Sequence, residues 1–404
     1  MILCYAFPPH EGIGGRRWYK FAEQLIEKNY QVSVISAMSK NQNVQKLKLF
    51  NHYKLSLIYP KALIYHRKSL LHKLLYKISL FKVKRQTKGN YYDRTINWLN
   101  QVIDAFNSIN TNKNITHCII SGAPFHWLTF INDLKKINQN CKFIADIRDP
   151  WTINKSAYGF ASLDERRFLL EKEKEKKLCL TADTIICVNE SIANYFKSLN
   201  EDCKIVVIEN GFDENELLIS KQCKIKIDDS YLNLVFTGSI YDNTGHLFKI
   251  LFEELLTNYE KYSEVIRFHF YGSTNEKLIR ILPNKLKNMF IFGKLEKSED
   301  VNYVISKSNY CLLFLSDDIN DSLSTKFCEY IKFRKKIILF SKEGFTSDYI
   351  LKNKIGLHVN ENNISELFKN LIEIKDLQVF PNNYDIAQFS IKTLTKKLEK
   401  VLNL

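Results

Sequence analysis

Residues 2–18 read I-L-C-Y-A-F-P-P-H-E-G-I-G-G-R-R-W. Ile2–Phe7 is an apolar run of strand length with no alternation, the pattern of a strand buried on both faces. Two prolines end it, and three glycines follow before helical spacing starts at Arg16. A buried strand feeding a helix through a glycine loop is the first half of a βαβ unit, so a parallel sheet is expected.

Working outward, the same alternation continues. Val32–Ser36, His117–Ser121, Lys142–Ile147, Thr184–Val188 and Ile205–Ile208 read as further buried strands. Arg16–Glu27, Tyr92–Phe106 and Ser162–Leu180 read as helices between them. A second series restarts with Leu232–Thr237, Ile266–Tyr271, Asn288–Phe292, Tyr310–Leu315, Lys336–Phe340 and Gly356–Val359, with helices over Thr325–Lys332 and Glu361–Ile374. The polar stretch Asp213–Asp229 separates the series. The expected architecture is α/β: two Rossmann-like doubly wound domains with a cleft between them, 1–212 and 213–384. An amphipathic helix over 385–404 is expected to pack back on the first domain.

At 404 residues, with 45% hydrophobic and 25% charged residues, the chain suits two globular domains rather than disorder or a repeat array. No stretch approaches the roughly 20 apolar residues of a membrane span. Met1–Phe7 lacks a basic leader and runs into Pro8, so no secretory signal is expected and the location expected is cytoplasmic. The nine cysteines show no C-x-x-C pair, which predicts buried, reduced thiols and no metal cluster.

The net charge of +15 is local: Lys28–Tyr92 holds fourteen Lys or Arg and no Asp or Glu, which accounts for +14 of it. Within residues 61–92, the stretch 66–88 places Leu70, Leu71, Leu74, Leu75, Ile78 and Phe81 on one helical face, with Lys73, Lys77, Lys84 and Arg85 largely elsewhere. A basic amphipathic helix of this kind fits the interface of an anionic membrane. It lacks the signature of a nucleic-acid-binding fold, so nucleic acid is not expected as a partner.

Ligands of doubly wound sheets bind at the carboxyl ends of the strands, which directs attention to the loops there. In the first loop, Gly14, Gly15 and Arg16 at a helix start are candidates to receive a phosphate. After the fourth strand, Asp146-Ile147-Arg148-Asp149-Pro150-Trp151 places Arg148 and Asp149 as catalytic candidates, and His126 has a similar address in the preceding loop. In the second series, D-S-L-S-T-K-F-C-E-Y opens a helix near Ser324; Ser324, Thr325 and Lys326 could receive a diphosphate and Glu329 ribose hydroxyls. The run E-K-E-K-E-K-K at Glu171–Lys177 reads as a solvated helix face, with Glu173 and Lys177 oriented to pair.

Taken in order, F-P-P-H-E-G-I-G-G-R-R-W, S-G-A-P, D-I-R-D-P-W-T, A-D-T-I-I-C-V-N, I-E-N-G-F-D, V-F-T-G-S, F-Y-G and S-T-K-F-C-E-Y resemble glycosyltransferase family 4, in particular its bacterial surface-polysaccharide members. The resemblance implies a GT-B fold and a hexosyl-type transferase that takes its sugar from a nucleotide-diphosphate donor, with retention and without a metal or other cofactor. It places the donor mainly on the C-terminal domain and the acceptor mainly on the N-terminal one; with the basic helix docked on a membrane, the acceptor expected is a lipid-linked glycan. Glu329 matches the second acid of the family's Glu-x7-Glu pattern, and Asp321 stands at the first. The family's G-R-L-x-x-x-K-G loop is replaced by Gly238-Ser239-Ile240-Tyr241-Asp242-Asn243-Thr244-Gly245, which keeps Gly238 and Ser239 but lacks both cations. Lys326, Arg148, Arg16 and Arg17 are the candidates to compensate. Two alternatives stay open: a degenerate binding protein at the membrane, which would bind no nucleotide sugar, and a nucleotide-sugar epimerase, which would turn over the donor without acceptor.

Overall fold

The computed structural model describes residues 1–8, 13–37, 51–64, 69–153, 158–240, 242–272, 274–295, 297–316, 323–374 and 378–403. The chain divides into two compact units, Met1–Glu209 with Leu394–Leu404, and Asn210–Thr393.

The first unit is built on seven strands: β1 (Ile2–Cys4), β2 (Ser33–Ala37), β3 (Asn51–Leu55), β4 (His117–Gly122), β5 (Lys142–Ile147), β6 (Thr184–Cys187) and β7 (Ile205–Val207). They form one parallel sheet in the order β3-β2-β1-β4-β5-β6-β7. Four helices matter for the site: α1 (Ile13–Glu27), α2 (Leu70–Gln86), α3 (Leu99–Lys113) and α4 (Glu165–Thr181). β3 was not expected; its N-H-Y-K-L sequence is mostly polar and exposed, as suits an edge strand. The helix expected over Tyr92–Phe106 starts instead at Leu99. Asp93 Oδ1 accepts from the backbone N and Oγ1 of Thr95 at 2.8 and 2.6 Å, a local turn that competes with helix.

The second unit has six strands: β8 (Leu232–Thr237), β9 (Ile266–Tyr271), β10 (Phe290–Gly293), β11 (Tyr310–Phe314), β12 (Lys336–Phe340) and β13 (Gly356–Val359). They also form a parallel sheet, in the order β10-β9-β8-β11-β12-β13. The short helix α5 (Thr325–Ile331) follows β11, and α6 (Ile391–Leu402) closes the chain. The division falls before Asn210 rather than at 212/213 because Phe212 is tied to the far end of the second unit. Its N–H donates to Phe389 O at 3.0 Å, and its carbonyl accepts from Ile391 N at 2.9 Å. From Leu394 onward α6 counts with the first unit, where Lys397 pairs with Glu209 at 2.7 Å and Glu399 with Lys28 at 2.5 Å.

In both sheets the strand order reverses once, between β1 and β4 in the first unit and between β8 and β11 in the second. Such a reversal opens a crevice at the carboxyl ends of the strands, because the flanking connections leave toward opposite faces. All nine cysteines are free thiols and eight are buried. No helix among the described residues is long and apolar enough to cross a membrane.

Candidate functional site

In the second unit the crevice is built on close backbone approaches. Gly238, which follows β8, has φ +121°, and a Cβ there would lie 2.4 Å from Lys326 Cε. A Cβ on Gly272, after β9, would lie 1.8 Å from Gly238 O. Only glycine fits either position. Lys326 Nζ donates to Ser239 O at 3.4 Å and stands 4.8 Å from the centroid of the Phe236 ring. Burial lowers its pKa to about 8, while Glu329 pulls the other way. Tyr330, on the same helix, fixes the end of β8 by accepting from Thr237 N at 3.1 Å. Lys326, Gly238, Ser239 and Glu329 thus share the edge of one sheet, at its reversal point.

The helix start itself does less than the sequence suggested. Ser324 Oγ accepts from Phe327 N at 3.2 Å, which satisfies one of the free N–H groups internally. α5 has only seven residues, so its aligned dipole is small. Thr325 is half-buried in its first turn. Asp321 lies outside the described residues.

In the first unit Gly15 is buried, but a Cβ there would meet Ala6 O at 2.4 Å. Its missing side chain lets α1 pack on the end of β1, a structural use rather than a phosphate approach. Gly14 lies in the first turn of α1 and Arg16 is exposed beside it. Arg17 is buried and donates to the carbonyls of Glu209 and Ile208 at 2.5 and 2.7 Å. Its Nε stands 3.8 Å from Asp146 Oδ1. Asp146 Oδ2 accepts from Trp18 Nε1 at 2.6 Å and Ser121 Oγ at 2.7 Å. The first acid of D-I-R-D is therefore a buried tie between α1, β4 and β5.

Arg148 Nε donates to Gly122 O at 3.1 Å, and Asp149 Oδ2 accepts from Tyr158 OH at 2.6 Å. His126 packs edge-on to Phe130 with centroids 5.4 Å apart, and burial lowers its pKa against the opposing pull of Asp93. Asp93 Oδ2 accepts from the backbone N–H groups of Phe125 and His126, each at 2.8 Å. His126 thus receives its position from Asp93, a residue the sequence reading passed over.

The run Glu171–Lys177 is a solvated face only in part: Lys172, Glu173, Lys176 and Lys177 are exposed, whereas two of its acids turn inward. Glu171 and Glu175 are 2% and 0% exposed, one turn apart on the inner side of α4. Glu171 accepts from Asn90 N at 2.9 Å, Trp151 Nε1 at 3.2 Å and Lys174 Nζ at 2.6 Å. Glu175 accepts from Tyr195 OH at 2.8 Å and from the Thr152 hydroxyl, and burial raises its pKa. These two acids hold the loop after β5 from behind.

In front of that loop lies a cavity of about 460 Å³, lined by Tyr5, Tyr59, Tyr76, Tyr92, Tyr158 and Arg94 among others. Tyr5 leaves the end of β1, and Ala123–Phe125 from the end of β4 complete the wall, so the cavity sits at the first sheet's reversal point. Tyr158 is held at φ 56° and Gly159 at φ +80°, where a Cβ would meet Tyr92 Cδ2 at 2.3 Å. Sequence reasoning missed these tyrosines, which come from five segments with no common spacing.

α2 is docked by a small cluster of Tyr59, Val83 and Tyr91, and Arg167 of α4 donates to the carbonyls of Lys84 at 2.7 Å and Gly89 at 3.0 Å. Its other side is bare: Leu70 is 84% and Phe81 67% exposed, with Leu71, Leu74, Leu75 and Ile78 exposed between them. Lys73, Lys77, Lys82, Lys84 and Arg85 are exposed around this apolar strip. His66, Arg67 and Lys68 of the expected segment lie outside the described residues.

No family model matches the chain, and no curated protein matches it in sequence. Solved structures do match it over its whole length. Sucrose-phosphate synthase from Thermosynechococcus elongatus is 11% identical, with 100% of this chain and 97% of that one covered and a TM-score of 0.69. The E. coli trehalose-6-phosphate structure bound with UDP-2-fluoro glucose is 12% identical, with 99% and 98% covered and a TM-score of 0.61. WaaG, a glycosyltransferase involved in lipopolysaccharide biosynthesis, is 11% identical, with 99% and 98% covered and a TM-score of 0.63. With two parallel Rossmann-like sheets and these full-length likenesses, the chain has the GT-B fold, as the sequence motifs implied.

Proposed function

We propose that the protein is a glycosyltransferase that moves a hexose from a nucleotide-diphosphate sugar to a lipid-linked glycan at an anionic membrane surface, in surface-polysaccharide synthesis. The observation that carries the donor half is Lys326, a half-buried cation seated on Ser239 at the reversal point of the second sheet. Withdrawing an ammonium from water is costly, and an arriving diphosphate would offset part of that cost. The same cation meets the charge that develops on the departing diphosphate, which is why no metal is invoked in this reading. Glu329, one turn further along α5, is placed to accept from ribose hydroxyls. In the first unit Arg148, Asp149 and His126 border the acceptor side, and reaction with retention is carried over from the family resemblance.

The membrane half rests on α2. Six large apolar side chains on one exposed strip, with Lys82 and Arg85 interspersed and Lys73, Lys77 and Lys84 beside it, fit a helix at an interface better than a core helix. At about 1 kcal/mol per basic residue near an anionic surface, several such contacts suffice for reversible docking.

A thermal-shift screen against UDP-, GDP-, dTDP- and CMP-sugars tests the donor half. At least one is expected to protect the protein, and Lys326→Met and Glu329→Ala should each reduce that protection. The donor site is wrong if neither variant changes it. Flotation with anionic liposomes at low salt tests the membrane half, which falls if the protein stays in the soluble fraction.

A further inference from the structure

Five tyrosines from separate segments meet in the first unit's cavity: Tyr5, Tyr59, Tyr76, Tyr92 and Tyr158. Tyr5 also belongs to the unit's main core, where it stacks on Trp98 with centroids 5.4 Å apart, and Tyr59 to the cluster that docks α2. Tyr76, Tyr92 and Tyr158 stand outside the buried cores and border open space. Tyr158 is held in the left-handed region by a strap in which Asn90 Nδ2 donates to its carbonyl at 3.0 Å. A bulky residue kept at positive φ beside a cavity marks a position imposed for binding.

The lining chemistry narrows the ligand. The flanking segment is rich in lysine, yet among the described residues no lysine lines the cavity, and its charged lining residues are Arg94 and Asp93. Tyrosine offers a large, rigid, electron-rich face and a hydroxyl at the edge. A pyranose offers the complement, with C–H groups on its face and hydroxyls around its rim. A guanidinium beside such a ring suits one phosphate.

Position narrows it further. Tyr76 lines the cavity from the inner side of α2, whereas Leu70, Leu74 and Phe81 lie on the helix's exposed outer side. With that outer side on a bilayer, the cavity stands about one helix diameter, roughly 10 Å, above the lipid surface. We infer that the cavity seats the sugar ring of the acceptor, a pyranose joined through a phosphate at Arg94 to a lipid whose chain stays in the bilayer under α2. This deepens the proposed transferase function and rests on it.

The test is ¹⁹F NMR of the full chain carrying 3-fluorotyrosine, with the Tyr76 and Tyr92 signals assigned through Tyr76→Phe and Tyr92→Phe. The probes are the 1-phosphates and methyl glycosides of glucose, galactose, mannose and their N-acetylamino counterparts, plus n-octyl phosphate. At least one sugar 1-phosphate should move both signals saturably, while octyl phosphate leaves them in place. Tyr92→Ala should weaken the hit about tenfold, and Arg94→Gln, an exposed position that leaves the fold alone, should weaken the 1-phosphate about tenfold but not its methyl glycoside. The inference is overturned if no sugar 1-phosphate moves the two signals, or if octyl phosphate moves them equally, which would make the cavity a lipid-chain site. Thermal shift with nucleotide sugars on the same samples separates the two ideas. Silent tyrosines with donor protection intact remove the acceptor seat alone; tyrosine shifts without donor protection remove the transferase reading instead.

Discussion

The two units place their candidate sites at the same topological address and furnish them oppositely. At the reversal point of the second sheet stands a half-buried lysine against glycine-shaped backbone. At that of the first stands an aromatic cavity with a single arginine among its described lining residues. On the proposed reading, one address recognises charge and the other the shape of a polar ring. A shared fold decides where ligands go, and the side chains at that edge decide which ligands they are.

The largest effect that tests this contrast is on the first unit's scaffold. Glu171→Ala leaves Trp151 Nε1, Asn90 N and Lys174 without their acceptor in a buried place, which should cost ~3 kcal/mol of stability. Nucleotide-sugar binding by the folded fraction should be unchanged. If calorimetry shows that it falls with stability, the two sites are not separable in the way described.

Lys326→Met should weaken nucleotide-sugar binding roughly 30-fold, about 2 kcal/mol for a lost charge-assisted contact. The melting temperature should hold or rise, since the variant no longer buries an ammonium. A lower melting temperature would mark Lys326 as a structural residue.

The pH dependence sharpens the same point. Lys326 titrates at about 8 in the folded protein, and an unfolded lysine keeps its proton to about 10.4. Below pH 8 the ammonium is charged and available to a diphosphate. As pH rises through 8 that charge is lost, so binding should weaken, by up to about tenfold between pH 7 and 9. Stability should move the other way over the window from 8 to 10.4, because the unfolded chain binds the extra proton there. Lys326→Arg should flatten the binding profile, since a guanidinium stays protonated throughout.

The smallest effect belongs to α2. Lys77→Gln should lower partition onto anionic vesicles about fivefold, near 1 kcal/mol, with no change in nucleotide-sugar binding. Equal partition of both proteins would remove Lys77 from the membrane contact.

Much of the fold was legible because buried parallel strands write themselves as short apolar runs, as at Ile2–Cys4 or Leu232–Thr237. β3 escaped because an edge strand has no such run. Lys326 and Glu329 were singled out from their place after β11, and the structure sets Lys326 against Gly238 and Ser239. Two acids of the charged run in α4 departed from the expected solvated face for a physical reason: Glu171 and Glu175 gain burial from Asn90, Trp151, Thr152 and Tyr195, partners that only the folded chain brings together. The tyrosine cavity escaped on the same grounds, since no spacing joins positions 5, 59, 76, 92 and 158. Gly15 shows the converse, a loop glycine that looks like a ligand approach and serves helix packing.

The central claim is that the second unit holds a nucleotide-diphosphate sugar through Lys326. Isothermal titration of UDP-, GDP-, dTDP- and CMP-sugars into the wild-type protein and Lys326→Met at pH 7 tests it most directly. Saturable binding of at least one sugar nucleotide, weakened roughly 30-fold in the variant, is the predicted result. Binding of none, or equal binding by both proteins, would contradict the account.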